Sequence, residues 1–107
     1  MINLNASEFD AKISEPDVVV LDVRTELEFN QSHIQNSINL NVLEDDFYLT
    51  TSGLDRSKNY ALYCRSGKRS LDAGEVMADL GFKSLYNLSG GIIEWIESGR
   101  VVTSKAK

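Results

Sequence analysis

The chain has 107 residues, enough for one domain with a modest core and not for two. Hydrophobic residues at 42% and charged residues at 25% describe an ordinary soluble globular protein. The net charge of −5 and a pI of about 4.7 argue against a nucleic-acid binder or a general membrane-surface binder. One cysteine allows no internal disulfide, and one cysteine with one histidine makes no familiar zinc site, so neither a metal nor another cofactor is expected. Residues 1–10 hold no apolar leader and no stretch reaches transmembrane length, which together with the lone cysteine gives a cytoplasmic monomer as the default.

Ile2-Asn3-Leu4 is a candidate edge strand. Residues 7–13 read as a short helix, with Asn5 or Ser7 as N-cap and Phe9 and Ile13 as an i, i+4 apolar pair. Pro16 breaks it. Residues 18–23 form the clearest strand, a β-branched run without alternation, hence buried on both faces. Thr25-Glu26-Leu27-Glu28-Phe29 predicts a capped helical turn, Ser32-His33-Ile34 a loop, and residues 37–40 a third strand. In 41–57, Leu43, Phe47 and Leu49 are assigned core contact through a helical turn. Residues 60–63 predict a fourth strand ending at Cys64, 65–69 a loop, and Ser70 the start of a helix with Gly81 at its C-cap. Residues 83–88 predict a fifth strand, Ser89-Gly90-Gly91 a tight turn, and Ile92, Ile93, Trp95 and Ile96 one apolar helical face ending before Gly99. The domain spans 1–107, with its core over about 2–101 and a tail over 102–107 that frays from Ser104 onward. Strand and helix patterns alternate, so the fold class is α/β with a mostly parallel sheet, whose reactive site lies at the carboxyl ends of the strands.

Cys64 stands at such an end, facing a helix N-terminus across a cationic loop. Arg56, Lys58, Arg65, Lys68 and Arg69 are five of the eleven basic residues and fall within 56–69, where no acid occurs. Arg56 and Lys58 precede the strand and belong to its far end. A thiol among loop N–H groups and cations loses its proton easily, so Cys64 is the candidate nucleophile in an anion-binding cradle. Gly67 supplies a backbone conformation that other residues resist, and Ser66 is a candidate hydrogen-bond donor to sulfur.

Three pieces together resemble a rhodanese-homology domain of the single-domain sulfurtransferase type. They are Leu21-Asp22-Val23-Arg24 with Glu28-Phe29, His33-Ile34 and Ile38-Asn39-Leu40; Tyr63-Cys64-Arg65-Ser66-Gly67-Lys68-Arg69-Ser70; and Leu85-Tyr86-Asn87-Leu88-Ser89-Gly90-Gly91 with Trp95. They cover roughly residues 18–99. The resemblance implies a five-stranded, largely parallel sheet flanked by helices. It also implies that Cys64 takes a sulfane sulfur from a small anionic donor such as thiosulfate, becomes a persulfide, and passes sulfur to cyanide or a thiol, a protein thiol included. The family's active-site loop maps onto 64–69, so Arg65, Ser66, Gly67, Lys68 and Arg69 are implied substrate-binding residues.

Asp22, Arg24 and Glu28 are expected to fix a strand end or flank the site, His33 to be structural because a stabilised thiolate needs no base, and Trp95 to be core. Gly90 and Gly91 allow a close approach to the loop. The chain departs from the family at Ser32, which stands where Gly usually precedes His-Ile, at Asn36-Ser37 in place of Gly-Ala, and at Gly99-Arg100-Val101, which lacks a frequent Pro. A Cys-dependent phosphatase or arsenate reductase is the rival chemistry. The phosphatase pattern separates Cys from Arg by five residues; here four separate Cys64 from Arg69, a loop too short to wrap a tetrahedral phosphate in the usual way. The lone cysteine also excludes reductase cycles that need an internal resolving thiol. A non-enzymatic persulfide carrier or docking module is the other alternative.

Overall fold

Residues 18–21 and 60–63 carry apolar side chains at successive positions, a pattern that is stable only in a strand covered on both faces. The structure, a computed structural model that describes residues 1–105, places both at the centre of a sheet. The strands are β1 (Ile2–Leu4), β2 (Val18–Asp22), β3 (Ile38–Asn39), β4 (Asn59–Tyr63) and β5 (Leu85–Leu88), ordered β1-β5-β4-β2-β3 with every pairing parallel. The helices are α1 (Ala6–Ile13), α2 (Glu26–Gln31), α3 (Phe47–Ser52), α4 (Lys68–Asp79) and α5 (Gly91–Glu97). This is the five-stranded parallel α/β fold that the sequence predicts.

Alternate strand residues divide between two cores. Leu21, Tyr60, Leu62 and Leu85 pack with Phe47, Ala73, Met77 and Phe82 beneath α3 and α4. Val20, Ala61, Tyr63 and Leu88 pack with Phe9, Ile92 and Trp95 beneath α1 and α5. Phe9 meets both Tyr63 and Trp95 edge-on, with ring centroids 6.5 and 6.3 Å apart. Trp95 is buried and its indole N–H donates to Val101 O at 3.0 Å.

The short helices begin on local hydrogen bonds. Asn5 caps α1 and Thr25 caps α2, each in a reciprocal capping box with the third helical residue, Glu8 and Glu28. Of the two cap candidates for α1, Asn5 is used. The turns that depart from the family pattern are also accommodated. Asn36 adopts a left-handed φ of 71°, which its short polar side chain tolerates, and Ser32 is extended and needs no glycine.

Three local expectations are corrected. Leu43 and Leu49 are 65% and 72% exposed and not core; only Phe47 and Thr51, one turn apart on α3, face inward. Helix α4 begins at Lys68, two residues before Ser70, because its first two side chains are polar and invisible to apolar periodicity. Lys68 and Arg69 therefore belong to a helical turn and not to the loop. Finally, the chain does not fray at Ser104. Thr103 pairs antiparallel with His33 through two backbone hydrogen bonds of 2.8 and 2.9 Å, and Lys105 N–H donates to Asn30 O at 3.0 Å. The expectation for residues 106–107 lies outside the described residues.

Candidate active site

Cys64 follows the last residue of β4, at the carboxyl edge of the sheet. Beyond it the chain turns through Arg65-Ser66-Gly67 and enters α4, whose N-cap is Gly67 at φ 102°. A side chain at Gly67 meets a twofold obstacle: the left-handed backbone, and a Cβ position lying on the Ser89 carbonyl. Gly91, at φ 66°, repeats the situation from the other side, its Cβ position falling on the Arg65 carbonyl and the Ser66 nitrogen. The loop and the β5–α5 turn therefore press together backbone to backbone. Two hydrogen bonds hold the contact, Ile92 N–H to Cys64 O at 2.9 Å and Ile93 N–H to Arg65 O at 3.2 Å. Gly90 serves a different neighbour. A Cβ there would strike the side chain of Glu94, which accepts from Ala6 N–H at 3.1 Å.

The cysteine sulfur sits inside this turn. Sγ accepts from Gly67 N–H at 3.1 Å and lies 3.4 Å from the Ser70 hydroxyl. That hydroxyl also lies 3.1 Å from Gly67 O, so its one proton has two acceptors and favours the sulfur when the sulfur is charged. Burial pushes the Cys64 thiol up, but hydrogen bonds from the Ser70 hydroxyl and from the Ser70, Gly67 and Ser66 N–H groups outweigh it, leaving the thiol below its ordinary value. The serine that reaches sulfur with its side chain is thus Ser70. Ser66 is exposed and contributes its backbone. Apolar periodicity marks Ser70 only as the start of a helix; its spacing, six residues after the cysteine, is the signal that places it in the first turn, above the thiol.

The cations divide into two kinds. Arg65 and Lys68 are exposed at the mouth of the turn, and among the described residues neither enters an ion pair. Arg69, which the family resemblance implies as a substrate-binding residue, is not free to bind an anion. It forms a two-pronged ion pair with Glu28, Nη1 to Oε1 at 2.8 Å and Nη2 to Oε2 at 2.9 Å. The Arg69 hydrogen bonds hold the Glu28 carboxyl at about 2, well below the usual carboxylate range. Arg56 is distant, its Nε donating to Leu80 O at 2.7 Å and its guanidinium lying over Phe82.

The remaining candidates form a support. Asp22 and Arg24 are 0% and 4% exposed and close on each other, Oδ2 to Nη2 at 2.7 Å and Oδ1 to Nε at 3.0 Å. Arg24 also donates to Ser32 O and lies over the Tyr63 ring, while the Tyr63 hydroxyl accepts Ile34 N–H at 3.0 Å. His33 is held in the same assembly. Its ring stacks on Phe29 with centroids 3.8 Å apart, and Nδ1 lies 2.8 Å from Phe29 O. Its ring and backbone are engaged with α2 and the tail and not with Cys64.

Known proteins share this fold. The chain is similar to a crystal structure of a rhodanese-related protein from Thermoplasma volcanium, with a TM-score of 0.81 and 34% identity over 96% of this chain and 98% of that one. A rhodanese-like domain protein from Staphylococcus aureus superposes with a TM-score of 0.82 at 25% identity, over 99% of this chain and all of that one. Among curated sequences, a tRNA uridine(34) hydroxylase from Pectobacterium atrosepticum is 32% identical over 101 residues, 91% of this chain but only 28% of the hydroxylase. The chain thus spans little more than a quarter of the curated relatives it matches. Residues 5–98 match the family described as rhodanese-like domain, and with that match, the parallel sheet and the Cys64 turn in one molecule, the chain belongs to the rhodanese-like domain family.

Proposed function

We propose that the protein is a sulfurtransferase that carries sulfane sulfur on Cys64, taking it from a small anionic donor such as thiosulfate and giving it to cyanide or a thiol, including a thiol on another protein. The observation that carries this reading is the ring of donors around Sγ, which favours a sulfur anion and leaves it no hydrogen-bonded base. The Cys64 thiolate attacks the outer sulfur of thiosulfate. The new S–S bond forms as the donor's own S–S bond breaks, and sulfite leaves with that electron pair. An acceptor nucleophile then attacks the outer sulfur of the persulfide, the Cys64 S–S bond breaks, and the thiolate returns.

Cys64 is only 1% exposed, which favours a narrow donor that presents a terminal sulfur. Loading moves the transferable sulfur outward by one S–S bond, about 2 Å, toward the acceptor. Arg65 and Lys68 supply the charge that captures the dianion and eases release of sulfite. Arg65→Gln and Lys68→Gln each raise KM for thiosulfate roughly tenfold, the worth of one charge-assisted hydrogen bond, with kcat changing less. Steady-state kinetics measure this, and an unchanged KM in both variants removes the two cations from the mechanism. A lone thiol suits the reducing cytoplasm, the compartment proposed here; among the described residues no helix is long and apolar enough to cross a membrane.

Intact mass after incubation with thiosulfate tests the loading step. The expected gain is ~32 Da, one sulfur, removed by cyanide and absent in Cys64→Ser. Loading without turnover makes the protein a persulfide carrier. No gain with thiosulfate, mercaptopyruvate or a persulfide donor refutes the proposal.

A further inference from the structure

The Glu28–Arg69 pair joins two elements that the chain separates by 41 residues. Glu28 is the third residue of α2; Arg69 is the second residue of α4, beside the Ser70 that reaches the cysteine sulfur. The contact is bidentate and half-buried, a geometry in which an ion pair is held and not merely coincident. Arg69 immediately precedes Ser70, whose hydroxyl lies 3.4 Å from Sγ, and a charged Cys64 favours the Arg69 cation.

We propose that Glu28 is a positioning residue that sets the ionisation of Cys64 by holding and neutralising Arg69. This rests on the Cys64 thiolate being the reacting species proposed above. With Glu28 charged, the guanidinium is fixed against α2 and its field at the sulfur is largely cancelled, so the resting thiol is stabilised by N–H and O–H donors. The anion donor then meets Arg65 and Lys68 but no third free cation. Other charged or titratable groups around the turn are engaged elsewhere or fixed. Asp22 and Arg24 at the end of β2 neutralise each other, the Tyr63 phenol at the end of β4 is hydrogen-bonded to Ile34 N–H and Ser37, and Glu94 of α5 accepts from Ala6 N–H. Arg65 and Lys68 are left unsubstituted in every variant considered.

The substitution Glu28→Gln removes the charge and spares the fold, because glutamine at the third helical position still serves the capping box with Thr25. The test follows the thiolate absorbance of Cys64 against pH, with Cys64→Ser subtracted. One cysteine gives one titration. In Glu28→Gln the uncancelled Arg69 lowers the midpoint by about one pH unit, and in Arg69→Gln the uncancelled Glu28 raises it by about as much. The double variant returns near the wild-type midpoint. A strut that only stiffened the turn would move both single variants in the same direction. Such a result, or a Glu28→Gln midpoint at or above wild type, overturns the proposal. Should one single variant fold poorly by thermal melt, the other and the double still distinguish the two cases. The titration needs no sulfur donor, so its outcome is separate from that of the mass measurement.

Discussion

In the proposed reaction, replacing Cys64 by serine reduces thiosulfate:cyanide turnover to the uncatalysed background, a fall of roughly 10⁴-fold or more, the scale set when an enzyme loses its nucleophile. The reason is specific to this turn. Its N–H groups and the Ser70 hydroxyl lower the ionisation of a thiol from an ordinary ~8.5, whereas no such environment brings a serine hydroxyl to its anion near neutrality. A serine oxygen is also a poor attacker of divalent sulfur and a poor leaving group when the acceptor arrives. Cys64→Ala gives the same loss, which separates absence of the nucleophile from interference by a new hydroxyl. Both variants keep the wild-type melting temperature to within a few degrees, since Sγ lies in the core edge and the exchanged volume is small. Turnover at a comparable rate in either variant would remove Cys64 from the chemistry.

Asp22→Ala lowers unfolding free energy by about 3–5 kcal/mol, because it leaves the Arg24 guanidinium buried without its anion. Denaturant unfolding measures it. The loss exceeds that of removing one packed side chain because Asp22 accepts from the Arg24 backbone N–H at 2.9 Å as well as from its guanidinium. Replacing both partners by apolar residues, Asp22→Leu with Arg24→Met, costs less than Asp22→Ala alone, since no unpaired charge remains. A loss below about 1 kcal/mol for Asp22→Ala, the worth of an exposed pair, would show that water reaches Arg24 in solution.

Most of the sheet was legible because its signals are local. The run from Val18 to Leu21 has no polar face, and a strand with no polar face belongs in the middle of a covered sheet. The thiol turn was legible for a similar reason: an apolar strand, a cysteine, a glycine and a helix pattern stand in one unbroken stretch. What could not be read were partnerships across the chain. Arg69 beside a cysteine looks like a substrate cation, and only the fold brings Glu28 to it from 41 residues upstream. In sequence Ser66 stands as the candidate donor; the two extra residues at the start of α4 aim Ser70 at the sulfur instead and leave Ser66 outside. Leu43 and Leu49 failed because apolar character alone does not select a face, whereas Phe47 and Thr51 share one by helical spacing. Thr103 meeting His33 is likewise a contact between distant segments, with no pattern of its own.

The contact between the thiol turn and the start of α5 has a further consequence. Each peptide unit has an electron-rich edge and a hydrogen-bearing edge, and the two point in opposite directions. Because Ile92 and Ile93 take the carbonyl oxygens of Cys64 and Arg65, those peptide planes are rotated with their oxygens turned away toward α5. The polarity of the turn is thereby rectified: an incoming anion meets hydrogen-bearing edges without a compensating row of oxygens. The part of the chain that enforces this lies more than two dozen residues after the cysteine, so the polarity around Cys64 depends on α5 being in place. In a protein synthesised from its N-terminus, the cysteine turn is completed only when α5 docks.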